Sequence, residues 1–103
     1  MVQTSRIALK RADMKLDDIG LIEIDEAFAA PYLACEREMG RTRDIVNVSG
    51  RGTLLCHPAG CTGTRPVVTL LYGYGIMRRN VRCGLNRLYT GEGLGLDVII
   101  ERE

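Results

Sequence analysis

The one histidine of the chain, His57, lies in a stretch whose residue types could carry proton transfer. Cys56 precedes it, Pro58 follows it, and a second cysteine, Cys61, comes four residues later. The unperturbed pKa of imidazole lies near neutrality, so a histidine can exchange protons under physiological conditions. A β-type run at 45–48 comes before the histidine, which places it in a loop after a strand. In open α/β sheets, such loops form binding and catalytic sites.

Two other kinds of cysteine chemistry are possible in this stretch, and neither is favoured. The spacing of Cys56, His57 and Cys61 is not a zinc-site pattern and supplies no fourth ligand, so we predict no metal. The four cysteines of the chain allow three disulfide pairings, but no secretory signal supports them. We expect reduced thiols, with Cys35 and Cys61 acting as small buried residues.

Three short motifs resemble the thiolase family, and they occur in the family's order. Residues 47–65, which include N-V-S-G-R-G and H-P-A-G-C-T-G-T-R, resemble the thiolase N-V-N-G-G-A-I-A-L-G-H-P-L-G-A-S-G-A-R without a gap. Residues 25–29, D-E-A-F-A, resemble N-E-A-F-A. Residues 89–95, Y-T-G-E-G-L-G, resemble C-x-G-G-G-x-G. The resemblance covers nearly the whole chain, but only roughly the last quarter of a thiolase.

The resemblance implies site residues, and two of them depart from the family. His57 takes the place of the histidine that assists the nucleophilic cysteine and helps to bind the acyl oxygen. Asp25 stands where thiolases have a water-orienting asparagine, and Tyr89 stands where they have the cysteine that moves a proton to and from the substrate. Phe28, Gly91 and Gly93 are the substrate-binding residues that the same motifs suggest.

The two departures weaken the chemistry that the family performs. An ionised Asp25 only accepts hydrogen bonds and would repel a developing oxyanion. Tyr89 carries a phenol in place of a thiol, and a phenol ordinarily has a pKa near 10, whereas a thiol titrates near 8.5. Simpler interpretations are that Asp25 is the N-cap of the following helix and that Tyr89 is a strand residue. We therefore interpret the motifs as a degenerate active site.

Composition excludes several classes of function. The 103 residues allow one domain at most, and we treat 1–103 as a single partial domain. A formal charge of +1 predicts no general attraction to nucleic acid or acidic membranes. The sequence has no apolar run of about 18 residues that could span a bilayer, and no apolar signal segment. We expect a cytoplasmic protein.

Hydrophobic patterning predicts the elements that must position these motifs. It indicates helices at 4–13, at 26–39 and from 64 or 65 to about 77, the last one short, kinked or frayed. Strands are expected at 19–24, 45–48, 82–89 and 94–100, the last two joined by a glycine turn. This alternation is α/β. The resemblance adds α/β/α layers and a mixed sheet, and it places the first, central strand of that sheet before residue 1.

The leading hypothesis is a degenerate carboxy-terminal thiolase-like domain, related to acyl-CoA acetyltransferases and to enzymes of 3-ketoacyl-CoA thiolysis. We expect it to be inactive as an isolated chain, with acyl-CoA as substrate by resemblance and no cofactor. Two alternatives stay open: a subunit of a split thiolase completed by a separate amino-terminal chain, and a non-catalytic assembly or binding module. The apolar residues of the 64–77 helix cannot all face one sheet, so we expect self-association or a thiolase amino-terminal half as partner.

Overall fold

The structure is a computed structural model that describes residues 2–40, 43–50, 60–72, 79–90 and 92–103. Its elements, in chain order, are helix α1 (Val2–Arg11), a short 3-10 turn (Leu16–Asp18), strand β1 (Leu21–Ile24), helix α2 (Ala29–Met39), helix α3 (Thr64–Tyr72), strand β2 (Cys83–Tyr89) and strand β3 (Gly95–Glu101). The alternation of helices and strands confirms the predicted α/β class. In the described residues, no helix has the length and apolar character needed to cross a membrane.

The three strands form one mixed sheet in the order β1-β2-β3. β1 runs parallel to β2, with Leu21 opposite Gly84, and β2 runs antiparallel to β3, with Leu85 opposite Ile99. We expected the sheet to lack a central member unless the remaining strands closed up. The strands do pair directly with one another, and β3 lies at one edge, as its position at the end of the chain predicted.

Helices cover both faces of this sheet, which confirms the predicted α/β/α layers. On one face, α1 and α2 pack over a core that includes Leu9, Ile22 and Leu85, with Tyr32 and Met39 against it. On the other face, α3 places Leu70 against Leu21 of β1. Every residue of β1 is buried, as expected for a parallel strand between two helical layers.

The strand predicted at 45–48 is reduced to a single bridge. The Ile22 N–H donates to Ile45 O at 2.7 Å, and the Asn47 N–H donates to Ile22 O at 2.8 Å. Val46 is the one residue there that forms a bridge, opposite Ile22. Asn47 then has a φ of 49°, in the left-handed region, which turns the chain away from β1. The backbone pairing therefore ends after one residue, although the apolar run continues to Val48.

The second helix starts later than predicted, and Asp25 is not its N-cap. α2 begins at Ala29, and its N-cap position is occupied by Phe28, whose side chain makes no capping hydrogen bond. The Asp25 N–H instead donates to Arg87 O at 3.0 Å. This bond extends the pairing of β1 with β2 by one residue, so Asp25 belongs to the end of the strand. Gly40 ends the helix with a φ of 61°, as predicted.

Most of the remaining predictions that fall on described residues agree with the structure, and one does not. α3 begins at Thr64, with Pro66 in its first turn, and the predicted end of this helix lies outside the described residues. β2 and β3 form the predicted hairpin, and Glu92 and Gly93 in its turn both have positive φ. Cys35 is buried as expected, whereas Cys61 is exposed. The prediction that Cys61 is a small core residue was therefore wrong, because it precedes α3 and lies outside the sheet.

Candidate active site

A pocket of about 530 Å³ lies at the end of the sheet where β1 and β2 both finish. The segments that line it come from three separate parts of the chain. They are Asp25, Ala27 and Phe28 after β1, Thr62 and Gly63 before α3, and Leu88, Tyr89 and Thr90 at the end of β2. Apart from Leu88, these residues belong to the three motifs of residues 25–29, 47–65 and 89–95. Motifs that are far apart in the sequence therefore meet at one site.

The parallel pairing of β1 and β2 explains why Asp25 and Tyr89 lie on the same pocket. Ile24 is opposite Arg87 in this ladder, so Asp25 comes one residue after this pair and Tyr89, the last residue of β2, comes two residues after it. The carboxyl ends of parallel strands meet at one edge of a sheet, where α/β proteins bind their ligands. The structure thus brings together two of the residues at catalytic positions of the family pattern, one with a carboxylate and the other with a phenol.

A second, smaller cavity adjoins the pocket and is enclosed by some of the same residues. Its volume is about 30 Å³, and Asp25, Phe28, Pro31 and Tyr89 are among the residues around it. A cavity of this size with polar groups in its wall can hold a water molecule.

The other predicted site residues have different positions. Phe28 is 72% exposed at the rim of the pocket. Gly93 lies in the exposed turn of the hairpin with a φ of 78° and does not line the pocket. His57 and Gly91 lie outside the described residues.

Two residues near the pocket were not assigned a role from the sequence. Thr62, which is buried, lines the pocket wall before α3. Asn47 makes side-chain hydrogen bonds to both residues that flank Asp25. Both belong to the stretch that carried the resemblance. The sequence motif therefore pointed to this region, but only the fold shows which residues of the motif lie near the pocket.

Ionisable groups on and around α2 affect the pKa of Tyr32. Burial, followed by the negative charges of Glu36 and Glu26, raises the pKa of the Tyr32 phenol above its ordinary value. Arg43, which pairs with Glu36 at 2.9 Å, acts in the opposite direction. Tyr32 is therefore a neutral core residue of α2. In the described ranges, no group of three or more His, Cys, Asp or Glu side chains is arranged to hold a metal ion.

Comparison with known proteins identifies the family. A profile described as "Thiolase, C-terminal domain" matches residues 2–102. The chain belongs to the thiolase C-terminal domain family. A 3-ketoacyl-CoA thiolase of Yersinia enterocolitica is 47% identical to this thiolase domain over an alignment of 105 positions, which covers 98% of this chain and 26% of that protein. The 3-ketoacyl-CoA thiolase of Serratia proteamaculans is 40% identical over an alignment of 104 positions, with the same shares covered.

Solved structures agree with this assignment. The crystal structure of the Bacillus anthracis acetyl-CoA acetyltransferase superposes with a TM-score of 0.88 at 44% identity, covering 94% of this chain and 24% of that one. The human mitochondrial 3-ketoacyl-CoA thiolase gives a TM-score of 0.90 at 35% identity, covering 96% and 25%. This thiolase domain therefore spans about a quarter of the length of the relatives that it matches.

Proposed function

We propose that this thiolase domain supplies one wall of an acyl-CoA acyltransferase site and does not turn over substrate by itself. The observation that carries the proposal is the pocket in which all three motif segments meet. Relatives over this region are named 3-ketoacyl-CoA thiolase and acetyl-CoA acetyltransferase. We infer that the ligand is an acyl-CoA, that His57 is the residue that assists the chemistry, and that no cofactor is needed.

Two side chains in the pocket wall support the inference that the site is degenerate. Asp25 presents a carboxylate where the family pattern has an amide, and a carboxylate disfavours negative charge that develops on an acyl oxygen. Tyr89 presents a phenol where the pattern has a thiol, and the phenol is the weaker acid at neutral pH. Both residues line the pocket directly, so both substitutions act on whatever binds there.

The chemistry of the chain also supports a reducing compartment. Cys35, Cys61 and Cys83 are free thiols, and proteins of the cytoplasm keep their cysteines reduced. We propose the cytoplasm as the location, where acyl thioesters and free thiols coexist.

A chimera tests the proposal in a complete enzyme. Residues 2–102 would replace the matching region of the Yersinia enterocolitica relative, and thiolysis of acetoacetyl-CoA would be measured. We expect neither the chimera nor the 103-residue chain to show turnover. The double substitution Tyr89→Cys with Asp25→Asn should raise the activity of the chimera by about 100-fold or more, since a positioned acid or base contributes about that much. Adding His57→Ala should remove the gain.

Three results would count against this proposal. Turnover by the unaltered 103-residue chain above that of its His57→Ala variant would show that the site is active as it stands. A chimera that already matches the parent enzyme would show that Asp25 and Tyr89 are compatible with thiolysis. A gain from the double substitution that survives His57→Ala would remove His57 from the mechanism.

A second candidate is a subunit or assembly module completed by another chain. Apolar side chains near the pocket and on α3 are exposed, among them Phe28, Val68 and Tyr72. Exposed apolar residues of this kind favour contact with a partner, either a second copy of the domain or the amino-terminal half of a thiolase. Recovery of thiolysis when the unaltered chain is mixed with a folded amino-terminal partner would favour this candidate.

A further inference from the structure

Asn47 occupies the position at which backbone pairing to β1 stops. Its N–H makes the last backbone bond of this pairing, and its φ of 49° turns the main chain away. Beyond this point, the side-chain amide of Asn47 makes the hydrogen bonds to β1. Asn47 Oδ1 accepts from the Ile24 N–H at 2.7 Å, and Nδ2 donates to Ile24 O at 3.0 Å. An amide side chain carries the same donor and acceptor as a peptide group, so it continues the pairing for one more residue.

The same amide makes a third bond, on the other side of Asp25. Asn47 Nδ2 donates to Glu26 Oε1 at 2.6 Å, and hydrogen bonds to a charged acceptor are stronger than neutral ones. Ile24 and Glu26 are the two neighbours of Asp25 in the chain. The Asp25 N–H is itself bound to Arg87 O at 3.0 Å. Asn47 therefore bonds to the residue before Asp25 and to the residue after it, and β2 bonds to the backbone N–H of Asp25 itself.

We propose that Asn47 is a positioning residue of the pocket, which fixes Asp25 on the wall that it shares with Tyr89. The proposal rests on the proposed function for what Asp25 does, but its geometry does not depend on that function. Few residue types could replace Asn47. Asparagine tolerates positive φ better than most residues with a side chain and offers both a donor and an acceptor. Aspartate lacks the donor, and glycine has no side chain.

The substitution Asn47→Gly separates the positive φ of Asn47 from its side-chain hydrogen bonds. Glycine adopts the left-handed conformation readily, so the backbone turn is kept and only the three side-chain bonds are lost. Asn80 provides a matched control, because it also has positive φ, of 52°, and its Oδ1 accepts an exposed hydrogen bond from Arg102. Asn80 is not among the residues that line the pocket. Asn80→Gly therefore makes the same chemical change away from the site.

The readout is the environment of the pocket in the ligand-free chain. Protein labelled with 3-fluorotyrosine would report Tyr89 by ¹⁹F NMR, assigned with Tyr89→Phe. The carboxyl ¹³C resonance of Asp25 would be assigned with Asp25→Asn. We expect Asn47→Gly to shift both resonances and Asn80→Gly to shift neither. We also expect Asn47→Gly to weaken acetyl-CoA binding by about tenfold, which corresponds to about 1.4 kcal/mol.

Unchanged Asp25 and Tyr89 resonances in folded Asn47→Gly would overturn the proposal, as would equal shifts in Asn80→Gly. If Asn47→Gly does not fold, Asn47→Asp carries the test, since it keeps the acceptor for the Ile24 N–H but loses both donors and adds a carboxylate beside Glu26. The same two resonances should shift in that variant. Failure of the unaltered chain to bind acetyl-CoA would contradict the proposed function alone, because the resonances are measured without ligand.

Discussion

Arg87 of β2 and Asp97 of β3 face each other in the core, with Nε 3.8 Å from Oδ1 and both side chains 1% exposed. The Ser5 hydroxyl of α1 donates to Asp97 Oδ2, and Arg87 Nη1 contacts Met39 Sδ of α2 at 3.5 Å. The pair therefore connects both helices of this face to the hairpin. Because both charges lose their hydration, such a pair contributes little net stability, but removal of one partner leaves the other charge buried.

Single substitutions in this pair should be strongly destabilising. We expect Arg87→Met or Asp97→Leu alone to lower the free energy of unfolding by about 3–5 kcal/mol, because each leaves one buried charge without its partner. The double variant Arg87→Met with Asp97→Leu should recover most of this loss. Guanidinium chloride denaturation of the four proteins forms a double-mutant cycle, and losses that simply add in the double variant would contradict the prediction.

An exposed ion pair between Arg82, which precedes β2, and Glu101 at the end of β3 provides the control. Arg82 Nη2 lies 2.6 Å from Glu101 Oε1, and both side chains are largely exposed. Water screens such a pair, so Glu101→Gln should change the free energy of unfolding by less than about 1 kcal/mol. If Glu101→Gln and Asp97→Leu lowered the free energy of unfolding equally, burial would not be the cause of the large loss at Asp97.

Hydrophobic patterning predicted most of the sheet, and the motifs predicted Asp25 and Tyr89 of the pocket. The apolar run of β1 and the hairpin of β2 and β3 agree with the structure because burial imposes the pattern on the sequence. The quoted motifs also indicated Asp25 and Tyr89, which do lie on one pocket. The strand at 45–48 was overpredicted, since β-branched residues do not reveal that Asn47 turns the backbone away.

Buried charge was the feature that patterning could not predict. A charged residue inside a strand normally indicates a solvent-facing position, and Arg87 was not predicted as a core residue. Its burial depends on Asp97, and the two become opposite only through the register of the hairpin. The same limit applies to Asp25, whose capping role depended on where α2 begins.

Gly20 should not tolerate a side chain. A Cβ built on Gly20 would lie 2.3 Å from Val81 Cγ1, and a β-branched valine has little freedom to move aside. We expect Gly20→Ala to lower the free energy of unfolding by about 1–3 kcal/mol through overpacking. In a Val81→Ala background the same substitution should cost much less. Denaturation that gives equal costs of Gly20→Ala in both backgrounds would contradict this explanation.

The thiols should differ in reactivity. Cys83 is buried, and burial together with the charge of Glu101 raises the pKa of its thiol, whereas Cys61 is exposed. Iodoacetamide should therefore modify Cys61 in the native protein and leave Cys83 unmodified until the chain is denatured. Mass spectrometry of the peptides checks this, and rapid native labelling of Cys83 would contradict it.

The raised pKa of Cys83 also makes the free energy of unfolding decrease as the pH rises. Above about pH 8.5 the unfolded chain loses the thiol proton while the folded chain retains it. The contribution of Cys83 to the free energy of unfolding is therefore complete at neutral pH and falls as the pH rises through this range. The fall should be smaller in Cys83→Ala. Denaturation at about pH 7 and about pH 9.5 measures the difference, and an equal fall in both proteins would contradict the prediction.

Self-association should depend on the outer face of α3. Leu70 is 1% exposed and packs against the sheet, whereas Val68 is 48% exposed and Tyr72 is 71% exposed. Val68 and Tyr72 are four residues apart, so they share one face of the helix, directed away from Leu70. An apolar face of this kind favours a partner, and a two-fold contact between copies is the usual arrangement. We therefore predict a dimer or higher assembly built on this face.

Analytical ultracentrifugation at micromolar concentration tests the assembly. We expect Val68→Glu and Tyr72→Glu to produce a single species of 11.4 kDa, with the free energy of unfolding changed by no more than about 0.5 kcal/mol, as at other surface sites. Leu70→Glu would instead unfold the domain, because it buries a charge. Ile7→Glu on α1 is the matched control, since Ile7 is 52% exposed and lies on the opposite face of the sheet. A monomeric unaltered chain, or dissociation by Ile7→Glu as readily as by Val68→Glu, would exclude the α3 face as the contact.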